Sequence, residues 1–551
     1  MGRIISLMGA LLIAALAALV PGQAMAQDTG ACPRPAPGSE VLPPPDLFSS
    51  NGTLNVALNY TTAVDYRGRT LLCFVTPDGT ESPTLHVNPG DTINITLTNI
   101  LPPVHGGPAE VIPGKVCGDS IMLLTSVNMH FHGTNTSPKC HSDEVIHTLV
   151  NPGETFTYTL HIPSNEPPGL YWYHPHVHGI ASASVQAGAT GAIIVEGIEN
   201  IQPAVAGLPQ RVLVMRDQPL ANPQALTSAL GLSGPYWDLS VNYVAVPFPQ
   251  YPPSIIKMQQ GSQEFWRVVN AGANTILDLQ VMYDGVPQTI QIAALDGVPT
   301  GSQDGKRQGT LISENRILIP PAGRAEFIVA APSAGVHSAQ LITNRIDTGP
   351  AGDGDPQRTL AQIQTVTGPV SLPHVPKPHA APNPQRFEGL ADAKVTAQRL
   401  LYFSEINVAD QNDPPGGHAP DNDKHTLFYI TVDGQIPEIF DPSNPPAITT
   451  TQGAVEEWTI ENRTQELHEF HMHQIHFLVE AVNGKNVPRE KRQFYDTFQV
   501  PYWDGVSSTY PSIKVKMDFR GPTVGDFVYH CHILDHEDGG MMAIIRVLPK
   551  N

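Results

Sequence analysis

Ten of the 22 histidines lie in four short clusters, and one cysteine stands between two of them. The clusters are His130/His132, His174/His176, His468/His471/His473 and His530/His532/His536. In a β-strand, residues two apart point to the same face and lie about 7 Å apart. Each His-x-His pair can therefore offer two imidazoles to one metal centre or to adjacent ions. The eight imidazoles of the four pairs exceed the ligands that one zinc ion takes, so they predict several metal ions side by side.

Cys531 predicts a second kind of metal site. If its two histidine neighbours face a metal cluster, the thiolate faces the opposite side of the same strand. His468 precedes His471 by an odd offset and can also face away, while His536 and Met541 follow at a distance that lets a loop bring them back. Two histidines, one cysteine and a weakly held methionine make a blue-copper electron-transfer site. The alternative for Cys531 is a structural core thiol.

This arrangement suggests a chemistry. A mononuclear copper on one face of the strand would be connected through Cys531 and the backbone to a cluster on the other face. Electrons could then enter one at a time and accumulate, and reduction of O2 to water takes four of them. Because protons are also consumed, carboxylates are expected near the cluster.

The chain repeats one pattern three times. A glycine precedes an asparagine by nine residues, with alternating apolar residues between them, at Gly90–Asn99, Gly261–Asn270 and Gly453–Asn462. A turn followed by a period-2 strand fits one strand in each of three related β domains. The His pairs repeat only in the outer copies, so the middle domain is expected to be a spacer without copper. We place the first domain at 45–198, the second at 205–368, a Pro-rich linker at 369–390 and the third at 391–551.

Length and composition agree with this organisation. At 551 residues the chain is too long for one ordinary core. Aromatic residues make up only 7%, and 54 prolines and 47 glycines suit many short strands joined by turns. The formal net charge of −20 repels phosphate backbones, so nucleic acid is not an expected partner.

The N-terminus has the pattern of a signal peptide. Arg3 precedes an apolar run over residues 4–20, and residues 24–26 (Ala-Met-Ala) have the form of a signal peptidase site. We expect residues 1–26 to be removed and the remaining chain to be periplasmic or secreted. An uncleaved anchor is the alternative, and no other segment is long and apolar enough to span a membrane.

Four of the five cysteines lie in the N-terminal part of the chain and permit three pairings. In an exported protein we favour disulfides Cys117–Cys140, which flank the first His-x-His pair, and Cys32–Cys73. The alternative is that some of the four are free buried thiols. Cys531 is left over.

Four motifs resemble the copper motifs of the multicopper oxidases, the family of laccases, ascorbate oxidase and bilirubin oxidase. They are HFHG (130–133), YWYHPH (171–176), HEFHMH (468–473) and HCHILDHEDGGM (530–541). The resemblance covers nearly the whole chain after the signal peptide and implies an all-β fold of three consecutive cupredoxin-like Greek-key β-sandwich domains. It also implies four copper ions, with type 1 ligands His468, Cys531, His536 and axial Met541, type 2 ligands His130 and His471, and type 3 ligands His132, His174, His176, His473, His530 and His532.

The resemblance also suggests two catalytic carboxylates. Glu537 follows the type 1 ligand His536 and matches an acid that assists proton delivery in bacterial members. Asp143 matches an acid that lies near the type 2 copper in laccases. For each of them the alternative is a solvated surface carboxylate.

The chain departs from the family pattern at two positions near the metals. Glu469 stands where members usually have proline, and Gln474 stands where they usually have glycine. Both put substrate preference in doubt more than copper binding. His178 and His476 extend two of the clusters, and we interpret them as neighbours of the ligands or surface residues.

These observations favour a bacterial-type, laccase-like oxidase that takes electrons from phenols, aromatic amines or similar small molecules and delivers them to O2. The alternative is a metallo-oxidase for Cu(I) or Fe(II). Cuprous oxidases of the family often carry a Met-rich insert, and the 12 methionines of this chain form no such cluster. A role in copper storage or as a structural protein would need no mononuclear site connected to a cluster.

Overall fold

The computed structural model describes residues 30–103, 110–111, 117–220, 237–248, 252–302, 309–370, 372, 386–407 and 426–550. The predicted signal peptide lies outside this part of the chain, as does most of the Pro-rich linker. The described residues fold almost entirely as β-strands, numbered here in chain order. They include two short α-helices, α1 (Ala181–Gln186) and α2 (Leu534–Asp538). Neither of these helices has the length and apolar character needed to cross a membrane.

The first sandwich packs a five-stranded sheet against a four-stranded sheet. The five-stranded sheet has the order β1 (Asp46–Phe48), β4 (Thr84–Val87), β13 (Gly191–Val195), β12 (Gly169–His174), β9 (His130–His132). The four-stranded sheet has the order β11 (Thr155–His161), β5 (Thr92–Asn99), β2 (Thr53–Val64), β3 (Thr70–Val75). Two small pairs accompany them, β6 (Glu110–Val111) with β8 (Ile121–Met122) and β7 (Cys117–Gly118) with β10 (Thr148–Leu149).

The second sandwich has an eight-stranded and a six-stranded sheet. The larger sheet contains β16 (Val244–Val246), β15 (Trp237–Val241), β14 (Gln210–Pro219), β18 (Gln263–Asn270), β25 (Arg324–Ala330), β21 (Ile290–Leu295), β22 (Val298–Pro299) and, on β21, β23 (Ile312–Glu314). The smaller contains β17 (Ser254–Gln259), β27 (Arg358–Val366), β26 (Ala339–Thr343), β19 (Leu277–Tyr283), β20 (Val286–Pro287) and, on β19, β24 (Ile317–Ile319).

The third sandwich has a seven-stranded and a five-stranded sheet. The larger sheet contains β29 (Thr426–Val432), β28 (Ala397–Asn407), β31 (Val455–Asn462), β37 (Ser512–Asp518), β33 (Phe477–Val482), β34 (Lys485–Asn486) and, on β33, β35 (Phe494–Tyr495). The smaller has the order β30 (Ile448–Thr451), β39 (Met542–Leu548), β38 (Gly525–Cys531), β32 (His468–Met472), β36 (Thr497–Val500). Short 3-10 helices lie at Ile198–Asn200, Pro203–Val205, Leu390–Asp392 and Arg489–Lys491.

The predicted class of fold, three β-sandwich domains in a row, is confirmed. The strands of the three sandwiches fall within the predicted ranges 45–198, 205–368 and 391–551, and the exact boundaries stay predictions. The core of each sandwich lies between its two sheets, where strands such as β5 bury every second residue.

The threefold sequence repeat has a structural cause. Its three copies are β5, β18 and β31, and each pairs parallel with one strand and antiparallel with another. The closing asparagine of each copy is buried, and its side-chain amide donates to two backbone carbonyls at 2.7–3.2 Å. The asparagine therefore satisfies carbonyls that the end of the strand would otherwise leave unpaired.

Two disulfides join the pairs favoured from the sequence, Cys32 with Cys73 and Cys117 with Cys140. Cys531 is free and buried. The four strands that carry the His pairs are neighbours in two sheets, since β9 lies beside β12 and β32 lies beside β38. In these sheets His130 is paired with His174 and His471 with His530.

Candidate metal centre

The outer sandwiches bring eight imidazoles into one pocket between the first and third domains. None of these side chains is more than 1% exposed. Their ligand atoms form groups lying within 4.8 Å of one another: His132/His174/His532, His176/His473/His530 and His130/His132/His471. All three groups combine histidines from both domains, so each is completed only when the two sandwiches pack together.

The nitrogen atoms in this pocket lack the partners that buried polar atoms require. Among the described residues, one or both ring nitrogens of His130, His132, His174, His471, His473 and His532 have no hydrogen-bond partner. The Nε2 atom of His530 lies 3.3 Å from that of His176 and 3.1 Å from that of His473. Three imidazole nitrogens that converge on one point form a donor set suited to a metal cation. The residues therefore fit a cluster of metal ions.

Backbone carbonyls fix which nitrogen is free to bind a metal. The Nδ1 atoms of His174, His471 and His530 donate to the carbonyls of Pro175, Asp496 and Cys531 at 2.7–2.8 Å. Each of these rings therefore presents a bare Nε2 to the pocket. Burial, with a further contribution from neighbouring imidazoles, lowers the pKa of His530 to about 3 and that of His174 well below its ordinary value. A neutral imidazole is the form that binds a metal.

A second group lies on the other face of β38. The Sγ atom of Cys531 is 3.6 Å from Nδ1 of His468 and 3.7 Å from Nδ1 of His536, and these two nitrogens are 3.1 Å apart. The expected reversal of direction along His530–His532 is therefore present. Met541 is buried, and its carbonyl accepts the Cys531 backbone N–H at 3.1 Å. Two imidazoles and one thiol in this arrangement fit a mononuclear copper.

The two predicted catalytic carboxylates are both buried beside the histidine pocket. Asp143 accepts from Nδ1 of His130 at 2.9 Å, and its other oxygen accepts from the side-chain amide of Gln474 at 2.7 Å. Glu537, in α2, has Oε1 3.9 Å from Nδ1 of His176. Neither residue is the surface carboxylate of the alternative interpretation, and Gln474 is a hydrogen-bond partner of Asp143.

The other unusual residues also lie close to the site. Glu469 is fully buried, its backbone N–H points at Cys531 Sγ at 3.4 Å, and burial raises its pKa well above the ordinary value. His476 is buried and donates through Nε2 to the Asp296 carbonyl at 2.8 Å. His178 is half-buried against the ring of Phe440.

Four charged residues at the site were not predicted from the sequence. Glu405 lies 2.9 Å from the outer nitrogen of His468, and Glu466 lies 3.3 Å from that of His536. Asp496 and Arg324 form a buried pair against the histidine pocket. Glu466 stands only two residues before His468, a spacing that could have drawn attention to it. No short spacing connects the other three residues to the ligands, and only their charge type could have indicated them.

Comparison with known proteins points to the multicopper oxidases. Sequence models described as "Multicopper oxidase" match residues 417–551 and residues 122–200. The chain is 21% identical to "Multicopper oxidase mco" of Staphylococcus haemolyticus, over 89% of this chain and 85% of that one. It is 24% identical to a "Laccase" of Haloferax volcanii, over 84% of this chain and 75% of that one.

Solved structures of the family share the fold over nearly their full length. The multicopper oxidase from Campylobacter jejuni has a TM-score of 0.64 at 20% identity, covering 94% of this chain and 96% of that one. McoA from Aquifex aeolicus has a TM-score of 0.64 at 18% identity, covering 93% and 99%.

Three β-sandwiches, with a cysteine–histidine group and a histidine cluster on opposite faces of one strand, define a copper protein built for electron transfer. The chain belongs to the multicopper oxidase family. It is an enzyme, a copper-dependent oxidoreductase that reduces O2, and its cofactor is copper at a mononuclear type 1 site and a trinuclear cluster.

Proposed function

We propose that the chain is laccase-like and oxidises small organic donors, such as phenols or aromatic amines, one electron at a time. The observation that carries this proposal is the position of His536. Its side chain is 10% exposed, whereas those of His468 and Cys531 are fully buried. The edge of His536 is therefore the point where a donor can approach the type 1 group without entering the protein.

The surroundings of His536 suit an organic donor. The ring of Phe428 stacks on the imidazole with centroids 4.5 Å apart. Ile439, which is 39% exposed, lies beside Gly540, and Gly540 follows His536 by four residues in the sequence. An aromatic ring stacked on a partly exposed imidazole favours contact with an aromatic donor.

The chain provides a continuous path for electrons from the type 1 group to the histidine pocket. When bound, copper accepts single electrons at the type 1 site and supplies the four-electron reduction of O2 at the cluster. Cys531 is covalently joined to His530 and His532, and its carbonyl accepts from Nδ1 of His530 at 2.7 Å. A short covalent and hydrogen-bonded connection therefore joins the two groups of ligands.

A second candidate is oxidation of a metal ion, Cu(I) or Fe(II). The specific observation is the pair of carboxylates on the outer nitrogens of the two type 1 histidines, Glu405 on His468 and Glu466 on His536. Both carboxylates are partly exposed, at 14% and 11%, and hard oxygen ligands attract cations. The Campylobacter jejuni relative is named a metallo-oxidase, whereas a relative of Bacillus subtilis is named a laccase.

Steady-state kcat/KM on neutral phenols, aromatic amines, Cu(I) and Fe(II) separates the two candidates. We expect the organic donors to be the better substrates. Because both carboxylates contact type 1 ligands, either change can alter kcat/KM for every donor, so the ratio is the test: Glu466→Gln and Glu405→Gln should lower kcat/KM for metal ions roughly tenfold more than kcat/KM for neutral phenols, through lost attraction. Glu461→Gln, whose carboxylate pairs with Arg463, is the matched control. The proposal would be overturned in favour of the second candidate if kcat/KM for a metal ion clearly exceeded kcat/KM for every organic donor.

We also propose that the chain works outside the cytoplasm. The two disulfides support this proposal, because such bonds persist in oxidising compartments. Fractionation of cells expressing the full-length chain, with N-terminal sequencing of the product, tests both export and cleavage after residue 26.

A further inference from the structure

The middle domain reaches the trinuclear pocket with the side chain of Arg324. Arg324 begins β25 of that domain, and its guanidinium is fully buried. It pairs with Asp496 of the third domain through two parallel contacts, Nη1 with Oδ1 at 2.7 Å and Nη2 with Oδ2. Bidentate pairing of this kind fixes the orientation of a carboxylate as well as its charge. We refer to Arg324 and Asp496 together as the Arg–Asp clamp.

Asp496, held in this way, orients two of the predicted copper ligands. Its Oδ1 atom is 3.1 Å from Nε2 of His132, and its carbonyl accepts from Nδ1 of His471 at 2.8 Å. His132 therefore keeps its proton on Nε2, and its Nδ1 atom, which has no partner among the described residues, faces the pocket. His130 has the opposite arrangement, because Asp143 holds its Nδ1. Two carboxylates thus set two different tautomers in one His-x-His pair.

Arg324 also ties the clamp to the first domain. Its Nε atom donates to the carbonyl of Leu170 in β12 at 3.2 Å, and its Nη1 atom donates to the carbonyl of Ala322 at 3.1 Å. One side chain therefore joins all three domains at the pocket. Gly133, the last residue of HFHG, leaves room for it, since a Cβ there would lie 2.3 Å from Nη2 of Arg324.

We propose that Arg324 is a positioning residue for the trinuclear copper centre, so that the middle domain is part of the oxygen-reducing site and more than a spacer. Arg324 acts through Asp496, which orients His132 and His471. The proposal concerns assembly of the copper cluster and does not depend on which donor the enzyme oxidises.

The expected effect is a loss of copper from the cluster alone. Removing an outer partner of a metal ligand typically costs about 10–100-fold in metal affinity. Arg324→Lys keeps the positive charge but replaces the planar fork with a single point charge, so Asp496 loses its fixed orientation. The type 1 group has no contact with the clamp in the structure and serves as a reference within each molecule.

The experiment loads the full chain with copper, challenges it with increasing chelator and follows two signals. Blue absorbance reports the type 1 copper, and the EPR signal of the type 2 copper, with total copper per chain, reports the cluster. For Arg324→Lys we expect the cluster to release copper at about 10–100-fold lower chelator concentration, with blue copper retained as in the wild type. Arg211→Lys is the matched control, because Arg211 forms a buried two-contact pair with Glu264 in the same domain, remote from the ligands.

Asp496→Asn provides a second variant in case Arg324→Lys does not fold. It should show the same selective loss, and the double variant should lose little more than either single one, since both changes act on one interaction. The proposal would be overturned if the variant that folds kept copper in its cluster as well as the wild type does. It would also be overturned if Arg211→Lys lost as much cluster copper as Arg324→Lys. Neither outcome bears on the donor preference tested above, because no donor is present.

Discussion

Glu537→Gln tests whether the carboxyl beside the trinuclear pocket supplies protons for the reduction of O2. Glu537 is fully buried, its Oε1 atom is 3.9 Å from Nδ1 of His176, and neither oxygen has a hydrogen-bond partner among the described residues. Reduction of O2 to water consumes four protons, while the surrounding imidazoles are occupied as ligands. Glutamine has the same shape and cannot release a proton. The change removes no protein hydrogen bond, so the fold and copper content should be retained.

A positioned acid typically contributes about 10²–10⁴-fold to such a step, which corresponds to about 3–5 kcal/mol of activation free energy. We therefore expect turnover to fall at least roughly tenfold, even if water replaces part of the pathway. Asp143→Asn should show a similar but weaker loss, because His130 and Gln474 already engage its carboxylate.

Stopped-flow spectroscopy separates the two half-reactions. The rate at which a donor bleaches the blue colour should be unchanged in Glu537→Gln, and the rate at which O2 restores the colour should fall. Asp538→Asn is the control, since the neighbouring carboxylate holds backbone N–H groups of Gly179, Ala181 and Ser182. Unchanged recovery with O2 in Glu537→Gln, or an equal loss in the control, would refute the role of Glu537.

Three further predictions follow from the structure. Cys531→Ser should abolish both the blue absorption and the oxidase activity, because the thiolate is the strong ligand of the type 1 group; absorption spectra and O2 uptake check this. Gly133→Ala should lower stability by at least about 1–2 kcal/mol, since φ is +83° and a Cβ would overlap the Arg–Asp clamp; urea unfolding measures the loss. Burial tends to lower the pKa of His86, but hydrogen bonds to Asp46 and Glu196 outweigh it and raise the pKa above the ordinary value of about 6.5. The His86 contribution to stability should therefore be fully present below about pH 6.5 and disappear as pH rises through the folded-state value. Unfolding of His86→Gln at several pH values should lack this dependence.

The sequence was sufficient for the fold class and for the division of the ligands between two sites. Three copies of a Gly-to-Asn strand indicated three β domains, and the structure places all three copies in equivalent strands. The period-2 geometry of a strand is local, so His530, Cys531 and His532 had to point to alternate faces. The favoured disulfides could also be chosen from the sequence, since Cys117 and Cys140 flank the first His-x-His pair.

Tertiary structure alone decided what surrounds those ligands. Arg324 and Asp496 are 172 residues apart, and Glu405 is 63 residues from His468. No periodicity relates positions at such distances, because their proximity results from the packing of separate sandwiches. For the same reason the sequence predicted a middle domain without a role at the copper centre. The His pairs that mark the outer domains are local features, whereas the contact of Arg324 with the pocket exists only after all three domains have packed together.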